Sequence, residues 1–317
     1  MRQIIPKKYT PLPIKEIITM AKNDPHELVR ASEAYYNQQV LSAAHKIAIN
    51  PEYRFVLLCG PSASGKTTTA HKLKHRLMGY GAGARVVSMD DFFMGIQYYP
   101  KLTDGEPDME SFECIDHDLL NDCFEELMKT GETNFPIFDF AQQKRSEKKH
   151  HVQLGKKDIL IMEGIHALNP EILSNIPQEK IFRIYVSVRT KFVDKKDKTI
   201  LVPKDIRLTR RIVRDYNFRN YSPAQTLHSW VNVVAAERIN IDRYRDDVDL
   251  KIDNTIDYEV CIWHRLLKGL LNSVQDGDYD EHPQVERIFE ALTHFPEIDY
   301  MLIPKNSLLR EFIGKDI

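Results

Sequence analysis

RFVLLCGPSASGKTTTAHKLKHRLM, residues 54–78, is the stretch around which the rest of the chain is arranged. Phe55 to Cys59 is a short apolar run, long enough for one buried strand of a parallel sheet. Gly60, then Pro61, Ser62, Ala63 and Ser64, then Gly65, Lys66 and Thr67 complete the pattern G-x-x-x-x-G-K-[ST]. Ala70, Leu73, Leu77 and Met78 follow at helical spacing, so the loop opens a helix. Glycines let successive backbone N–H groups, through Thr68, curl around phosphate oxygens, and the helix N-terminus adds partial positive charge. Lys66 is expected along the β- and γ-phosphates, and the Thr67 hydroxyl on Mg²⁺. A Gly/Ser-rich strand-to-helix turn without a ligand is the alternative. The strand before and the helix after favour the phosphate loop.

Composition narrows the class. At 317 residues the chain holds one large domain with extensions, or two small ones. Its 42% hydrophobic and 28% charged residues are those of an ordinary globular protein. A net charge of -2 argues against a general nucleic-acid coat, and no apolar run reaches the length of a membrane span. The lead-in is broken by Pro6, Pro11 and Pro13 and has no apolar core of a signal peptide. Cys59, Cys114, Cys123 and Cys261 show no C-x-x-C spacing, so a reducing, cytoplasmic setting is expected.

Outward from the loop, residues 1–50 read as a helical extension. Asp24 suits an N-cap and Pro25 the first helical position, with Leu28, Ala31, Tyr35, Val40, Ala44 and Ile47 on one face. The part from 51 to 275 alternates strands and helices, which predicts a mainly parallel sheet. Gly79, Gly81 and Gly83 stop the loop's helix, and strands follow at 84–89, 158–162, 181–188 and 248–253. A helix is expected over 116–129, a hairpin-like excursion over 133–157, and a capping box at Ser222-Pro223-Ala224-Gln225. Leu227, Trp230, Val231 and Val234 are its apolar stripe, and 276–317 reads as a C-terminal extension. The fold class expected is a three-layer α/β sandwich of the P-loop NTPase type.

Three successive strand ends then carry what phosphoryl transfer needs: the loop itself, Asp90-Asp91, and Glu163. A hydroxyl acceptor needs a carboxylate to take its proton, and Mg²⁺ needs oxygen ligands. Thr67, Asp90 and Glu163 are the candidate metal residues. Strand alternation leaves one of Asp90 and Asp91 facing the crevice; helix capping or a solvated turn is the alternative for each acid. Arg207, Arg210, Arg211 and Arg214 share a helical face, answered only in part by Asp205 and Asp215. With Arg219 they read as a lid over about 189–222 that closes on the phosphates; a solvated, salt-bridged helix is the other reading. The basic runs at 144–157 and 191–198 lack interleaved aromatics and read as exposed loops rather than a nucleic-acid surface.

GPSASGKTT (60–68), SMDDFF (88–93), FPIFDF (135–140), EGIHAL (163–168) and RLTRRIVRD (207–215) together resemble the uridine kinase family within the phosphoribulokinase/uridine kinase group. YNFRNYSPAQTLHSW (216–230) and IPKNSLLREFIG (303–314) look closer still to a bacterial branch. In that branch such a domain often follows a threonyl-tRNA-synthetase-like appendage. The resemblance implies Asp90 as catalytic base, Lys66 and Thr67 on phosphate and Mg²⁺, and Glu163 as a second carboxylate near the metal. It also implies Arg211, Arg214 and Arg219 as lid arginines. Phe93, Glu110, Phe138, Asp139 and Gln143 fall in the acceptor half, Glu110 where the family binds ribose hydroxyls. Departures cluster there. Phe138 stands for a tyrosine, Gln143 for a histidine that reads the pyrimidine edge, and Glu110-Ser111-Phe112 for an aspartate–histidine–proline segment. Sites built on hydrogen bonds discriminate by them, so these changes bear on the acceptor.

The expectation is a kinase using ATP and Mg²⁺ on a small hydroxyl acceptor, a nucleoside first and a sugar or polyol second. An ATP-binding regulatory or RNA-associated protein is the reading from another class. No membrane partner is expected, and homo-oligomerisation is left open.

Overall fold

Strand formation begins earlier than the prolines of the lead-in suggest. The protein is described by a computed structural model over residues 10–102, 105–139, 142–271 and 283–314, which opens with β1 (Thr10–Pro13), α1 (Ile14–Asn23) and α2 (Pro25–Ala48). Asp24 caps α2, its Oδ1 accepting the Glu27 N–H at 3.0 Å. The buried face of α2 is turned from the expected one: Leu28, Ser32, Tyr36, Val40, Ala44 and Ile47 point inward, while Ala31 and Tyr35 are half-buried. Polar side chains on that face have partners: Tyr36 Oη meets Thr69 Oγ1 at 2.8 Å, and Glu33 Oε1 accepts from Tyr258 at 2.8 Å. Apolar periodicity alone misses such a face.

The alternation of the middle of the chain is as expected. β2 (Phe55–Cys59), α3 (Lys66–Gly79) and β3 (Ala84–Ser88) come first. Next are α4 (His117–Thr130), β4 (Glu132–Phe135), β5 (Phe138–Asp139), β6 (Lys144–Arg145) and β7 (His150–Gln153), the last four forming two small antiparallel pairs. β8 (Ile159–Glu163), β9 (Ile181–Ser187), β10 (Thr190–Val193) and β11 (Thr199–Leu201) precede α5 (Pro203–Arg219) and α6 (Pro223–Asn240). β12 (Leu250–Asp253), α7 (Val260–Leu271), α8 (Pro283–Leu292) and α9 (Arg310–Ile313) complete the described elements.

Among the described residues one sheet runs β12-β9-β2-β8-β3, with every neighbouring pair parallel. Its central strand β2 is an apolar run, FVLLC, because both faces of the sheet are covered. Val56 and Leu58 of β2 point into a cluster with Leu73 of α3, Tyr36 of α2 and Trp263 of α7. Phe55 and Leu57 point the other way, against Phe124 of α4 and Phe135. These are the three layers, and they bring the carboxyl ends of β2, β3 and β8 to one edge.

Three features depart from expectation. The root of the expected lid, 190–201, is strand: β10 pairs parallel with β1 and antiparallel with β11. Pro11 and Pro13 are tolerated because β1 is an edge strand of that group. In α6 the inward residues are Leu227, Trp230 and Val233, whereas Val231 is exposed. On α3, Met78 is exposed and Thr69 is buried. Phe140 and the start of the expected C-terminal extension, 276–282, lie outside the described residues. Beyond them, Leu308, Leu309, Phe312 and Ile313 are buried in the same cluster as α3. No helix among the described residues is long and apolar enough to cross a membrane.

Candidate active site

The phosphate loop is held by close packing at its two glycines. A Cβ on Gly60 would meet the Val186 carbonyl oxygen at 2.1 Å, and Gly65 has φ +70° with Leu308 alongside. Ala63 also takes a positive φ of 57°. The loop therefore curls at the carboxyl end of β2 and delivers Lys66 to the first position of α3, its Nζ 3.4 Å from the Pro61 carbonyl. Its backbone amides have carboxylate partners. Ser62 N–H donates to Glu237 Oε1 at 3.1 Å, and Thr68 N–H and Oγ1 donate to Glu311 Oε2 at 3.2 and 2.6 Å. Carboxylates thus sit on donors at an N-terminal helix end that favours anions.

β3 ends at Ser88, and residues 89–92 form a 3₁₀ turn capped by the Ser88 hydroxyl, which accepts the Asp90 N–H at 3.3 Å. That turn, rather than strand alternation, separates the two aspartates. Asp91 accepts the Phe138 N–H at 3.2 Å. Asp90 is raised above the ordinary carboxylate range by burial, against the pull of Lys66, Arg219 and Arg214. Glu163, the last residue of β8, is buried and accepts from Thr67 Oγ1 at 3.0 Å. Burial pushes its carboxyl up to about 7, opposed by Lys66 and raised further by Asp90. Glu110 is also pushed up to about 7 by burial, opposed chiefly by Arg211. Its carbonyl accepts from Asn240 of α6 at 3.0 Å. Asp90, Glu110 and Glu163 thus converge on Lys66. Such crowding of acids is relieved by a cation or a proton.

The arginines of α5 divide into two groups. Arg207 and Arg210 are buried in two-pronged pairs, Arg207 with Glu237 at 2.5 and 2.8 Å, Arg210 with Glu259 at 2.7 Å to each oxygen. The solvated-helix alternative fails at both, and the expected self-repelling face is largely neutralised by these partners. Asp205, expected to answer the arginines of its own helix, pairs with Arg287 of α8 at 2.5 Å. The second group gathers on the buried Asp215: Arg214 at 2.7 Å, Arg211 at 3.3 Å and Arg219 at 3.7 Å. Arg211 also reaches Ser62 Oγ at 2.7 Å. One carboxylate therefore orders three guanidiniums, of which Arg214 and Arg219 act on Asp90 and Arg211 on Glu110.

In the acceptor half, Phe93 and Phe138 are buried with rings 5.8 Å apart. Asp139 accepts from the Gln142 backbone and side chain at 3.0 Å. Gln143 stands exposed in the β5–β6 turn with φ 51°. His166, in the loop after β8, is buried beside Phe112, and burial lowers its imidazole to about 4. Glu237 and Glu311 touch the loop but were not singled out from sequence. Glu237 left a faint signal, an acid seven residues after Trp230 on the inward stripe. Glu311 left none beyond the quoted 303–314 segment.

Residues 55–261 match the family described as the phosphoribulokinase / uridine kinase family. A uridine kinase of Ureaplasma urealyticum is 25% identical over 180 residues, which cover 57% of this chain and 77% of the relative. A uridine kinase of Bacillus pumilus is 28% identical over 181 residues, 56% of this chain and 74% of the relative. A solved structure of a possible uridine kinase from Bacillus stearothermophilus is similar over 68% of this chain and 98% of that one, at 19% identity and a TM-score of 0.45. The matched region runs from β2 through the phosphate loop, the Asp90 turn, Glu163 and the arginines of α5, and the chain belongs to the phosphoribulokinase / uridine kinase family, as a kinase of a small hydroxyl-bearing substrate.

Proposed function

We propose that this protein transfers the γ-phosphoryl group of ATP, with Mg²⁺, to the 5′-hydroxyl of a nucleoside. The observation that carries this reading is the division of labour at Asp90-Asp91: Asp91 is spent on the Phe138 amide, and Asp90 is left among Lys66, Arg214 and Arg219. Asp90 accepts the proton of the acceptor hydroxyl as that oxygen attacks phosphorus. The amides of Gly60 and of residues 62–68, with Lys66, hold the phosphates, and Arg211, Arg214 and Arg219 stabilise charge on the transferring group.

Thr67 and Glu163, 3.0 Å apart and joined by a hydrogen bond, fit an oxygen donor set for Mg²⁺, with Asp90 alongside. Burial raises the Glu163 carboxyl, and a cation beside it would favour its ionised form. Thr67 and Glu163 would hold the ion, which would supply positive charge to offset that of the phosphates. Residues 51–275 form the catalytic unit in this reading, with Arg211, Arg214 and Arg219 toward the end of α5 closing over the phosphates to exclude water. The four cysteines are free and buried, which fits the cytoplasm.

A sugar or polyol acceptor is the second reading. It is favoured by Phe138, which lacks a hydroxyl, and by the exposed position of Gln143. Steady-state turnover of MgATP against a panel of nucleosides, sugars and polyols separates the two. Turnover of at least one nucleoside above every sugar is expected. Absence of turnover with any nucleoside removes the first reading.

A further inference from the structure

A tight turn at the head of the phosphate loop gathers cations placed on the phosphates above. Ala63 takes φ 57°, and the Ser64 N–H folds back to the Pro61 carbonyl at 3.2 Å. Lys66 brings its Nζ to the same carbonyl at 3.4 Å. One residue on, each polar atom of Ser62 is engaged by α5 or α6. Its N–H donates to Glu237 Oε1 at 3.1 Å, its carbonyl accepts from Arg207 Nη1 at 3.0 Å, and its Oγ accepts from Arg211 Nη1 at 2.7 Å. Glu237 and Arg207 are themselves a buried pair. The Ser62 main chain is thus held from two sides, and its hydroxyl starts from a fixed point.

Arg211 differs from the arginines around it. Arg207 and Arg210 each close a two-pronged pair with a carboxylate, and Arg214 gives Nε and Nη2 to Asp215 Oδ1. Arg211 has Asp215 3.3 Å away as an ion partner, but among the described residues its buried Nε makes no hydrogen bond. Its one hydrogen bond there is to Ser62. An ion pair without hydrogen-bond geometry holds a guanidinium in place but leaves its plane free to turn; a bond at Nη1 supplies the second point that fixes it. The orientation of Arg211 is therefore set by the phosphate loop rather than by its own helix. Its charge also reaches the acceptor half, where burial raises the Glu110 carboxyl and Arg211 chiefly opposes that rise.

We infer that Ser62 is a positioning residue for phosphoryl transfer, its hydroxyl aiming the Arg211 guanidinium at the group in transfer. The inference rests on the kinase reading above. Donors aimed at developing charge contribute most when they need not reorganise as that charge appears. A long, rotamer-rich side chain such as Arg211 loses this advantage once it is free to turn. Because Ser62 belongs to the loop that holds the phosphates, the arginine keeps register with them.

The test is a double-mutant cycle in the full chain, run with MgATP and the acceptor that the unaltered protein turns over fastest. Ser62→Ala is expected to lower kcat about tenfold with the KM for ATP nearly unchanged. Ser62→Thr, which keeps the hydroxyl, is expected to restore most of the loss. Arg211→Ala is expected to lower kcat further, and adding Ser62→Ala to it to change kcat by less than about twofold. Losses that multiply independently overturn the inference. So do equal losses in Ser62→Thr and Ser62→Ala, or an unaltered kcat in Ser62→Ala. A second cycle needs no acceptor. Beryllium fluoride stands in for the γ-phosphoryl group beside ADP and Mg²⁺, and calorimetry is expected to show it tightening ADP binding to the unaltered chain. Ser62→Ala is expected to cut that gain by about tenfold, and to cut nothing more once Arg211 is replaced by alanine. Absence of the gain in the unaltered chain, or a gain that Ser62→Ala leaves whole, also overturns the inference. If no acceptor is turned over while the second cycle holds, the kinase reading fails and the role of Ser62 stands. Normal turnover with independent losses removes the role of Ser62 alone.

Discussion

Asp90 and Asp91 are adjacent, chemically identical and differently employed. Sequence placed both at a strand end and identified Asp90 through the family motif, but their separation depends on a 3₁₀ turn and on the Phe138 amide, 47 residues away. Asp90→Asn is expected to lower turnover by about 10²-fold or more if this carboxylate is the general base, with little change in ATP affinity by calorimetry. Wild-type turnover in that variant would reassign the base to Asp91. Glu110 gives a pH signature. Its carboxyl rises from 4.5 to about 7 on folding, so the fold favours the protonated form. The stability it contributes is complete below pH 4.5 and is lost as the pH rises to about 7. Glu110→Gln should flatten the fall of the urea midpoint across that window. Glu163 titrates over the same range, so the slope should shrink rather than vanish. An unaltered slope in the variant would refute this assignment.

α5 shows what a single element can hide. Its sequence displays four arginines on one face with two acids nearby, and from that alone a mobile, phosphate-seeking lid is the natural inference. The structure uses the same face for two purposes because the counter-charges come from elsewhere in the chain: Glu237 of α6 and Glu259 before α7. No periodicity within α5 reveals either. Two variants should split the helix accordingly. Glu259→Gln strands the buried Arg210 and should cost about 3–5 kcal/mol in denaturant unfolding. Arg214→Ala should leave stability nearly intact and lower turnover by about 10²-fold. Equal loss of stability in both would mean that the division is wrong. α9 carries a related prediction. Its Glu311 occupies the Thr68 amide and hydroxyl at the helix end where phosphate binds in the proposed function. Glu311→Ala should tighten ATP binding by on the order of 1 kcal/mol, read by calorimetry; weaker binding would make Glu311 a support of the site instead of a competitor.

At the scale of the molecule, the parallel sheet was legible because buried strands are apolar runs and β2 leads directly into a helix, α3. Residues 10–13 and 190–201 were not, because their pairing is long-range and Pro11 and Pro13 argue locally against strand. The N-terminal part is woven into the core: Ile17 of α1 and Tyr36, Val40 and Ile47 of α2 share a cluster with Leu73 and Leu77 of α3. Removing residues 1–48 should therefore lower the melting temperature by more than about 10 °C, and a calorimetric scan that overlays the intact chain would show those helices to be dispensable. The pairing of β1 has a consequence for how the chain is made. Thr10 pairs with Thr190, so β1 must wait, without its hydrogen-bond partner, until the chain about 180 residues further on has been synthesised. Proline at positions 11 and 13 cannot donate to a passing strand, which keeps that waiting edge from annealing to a neighbouring nascent chain.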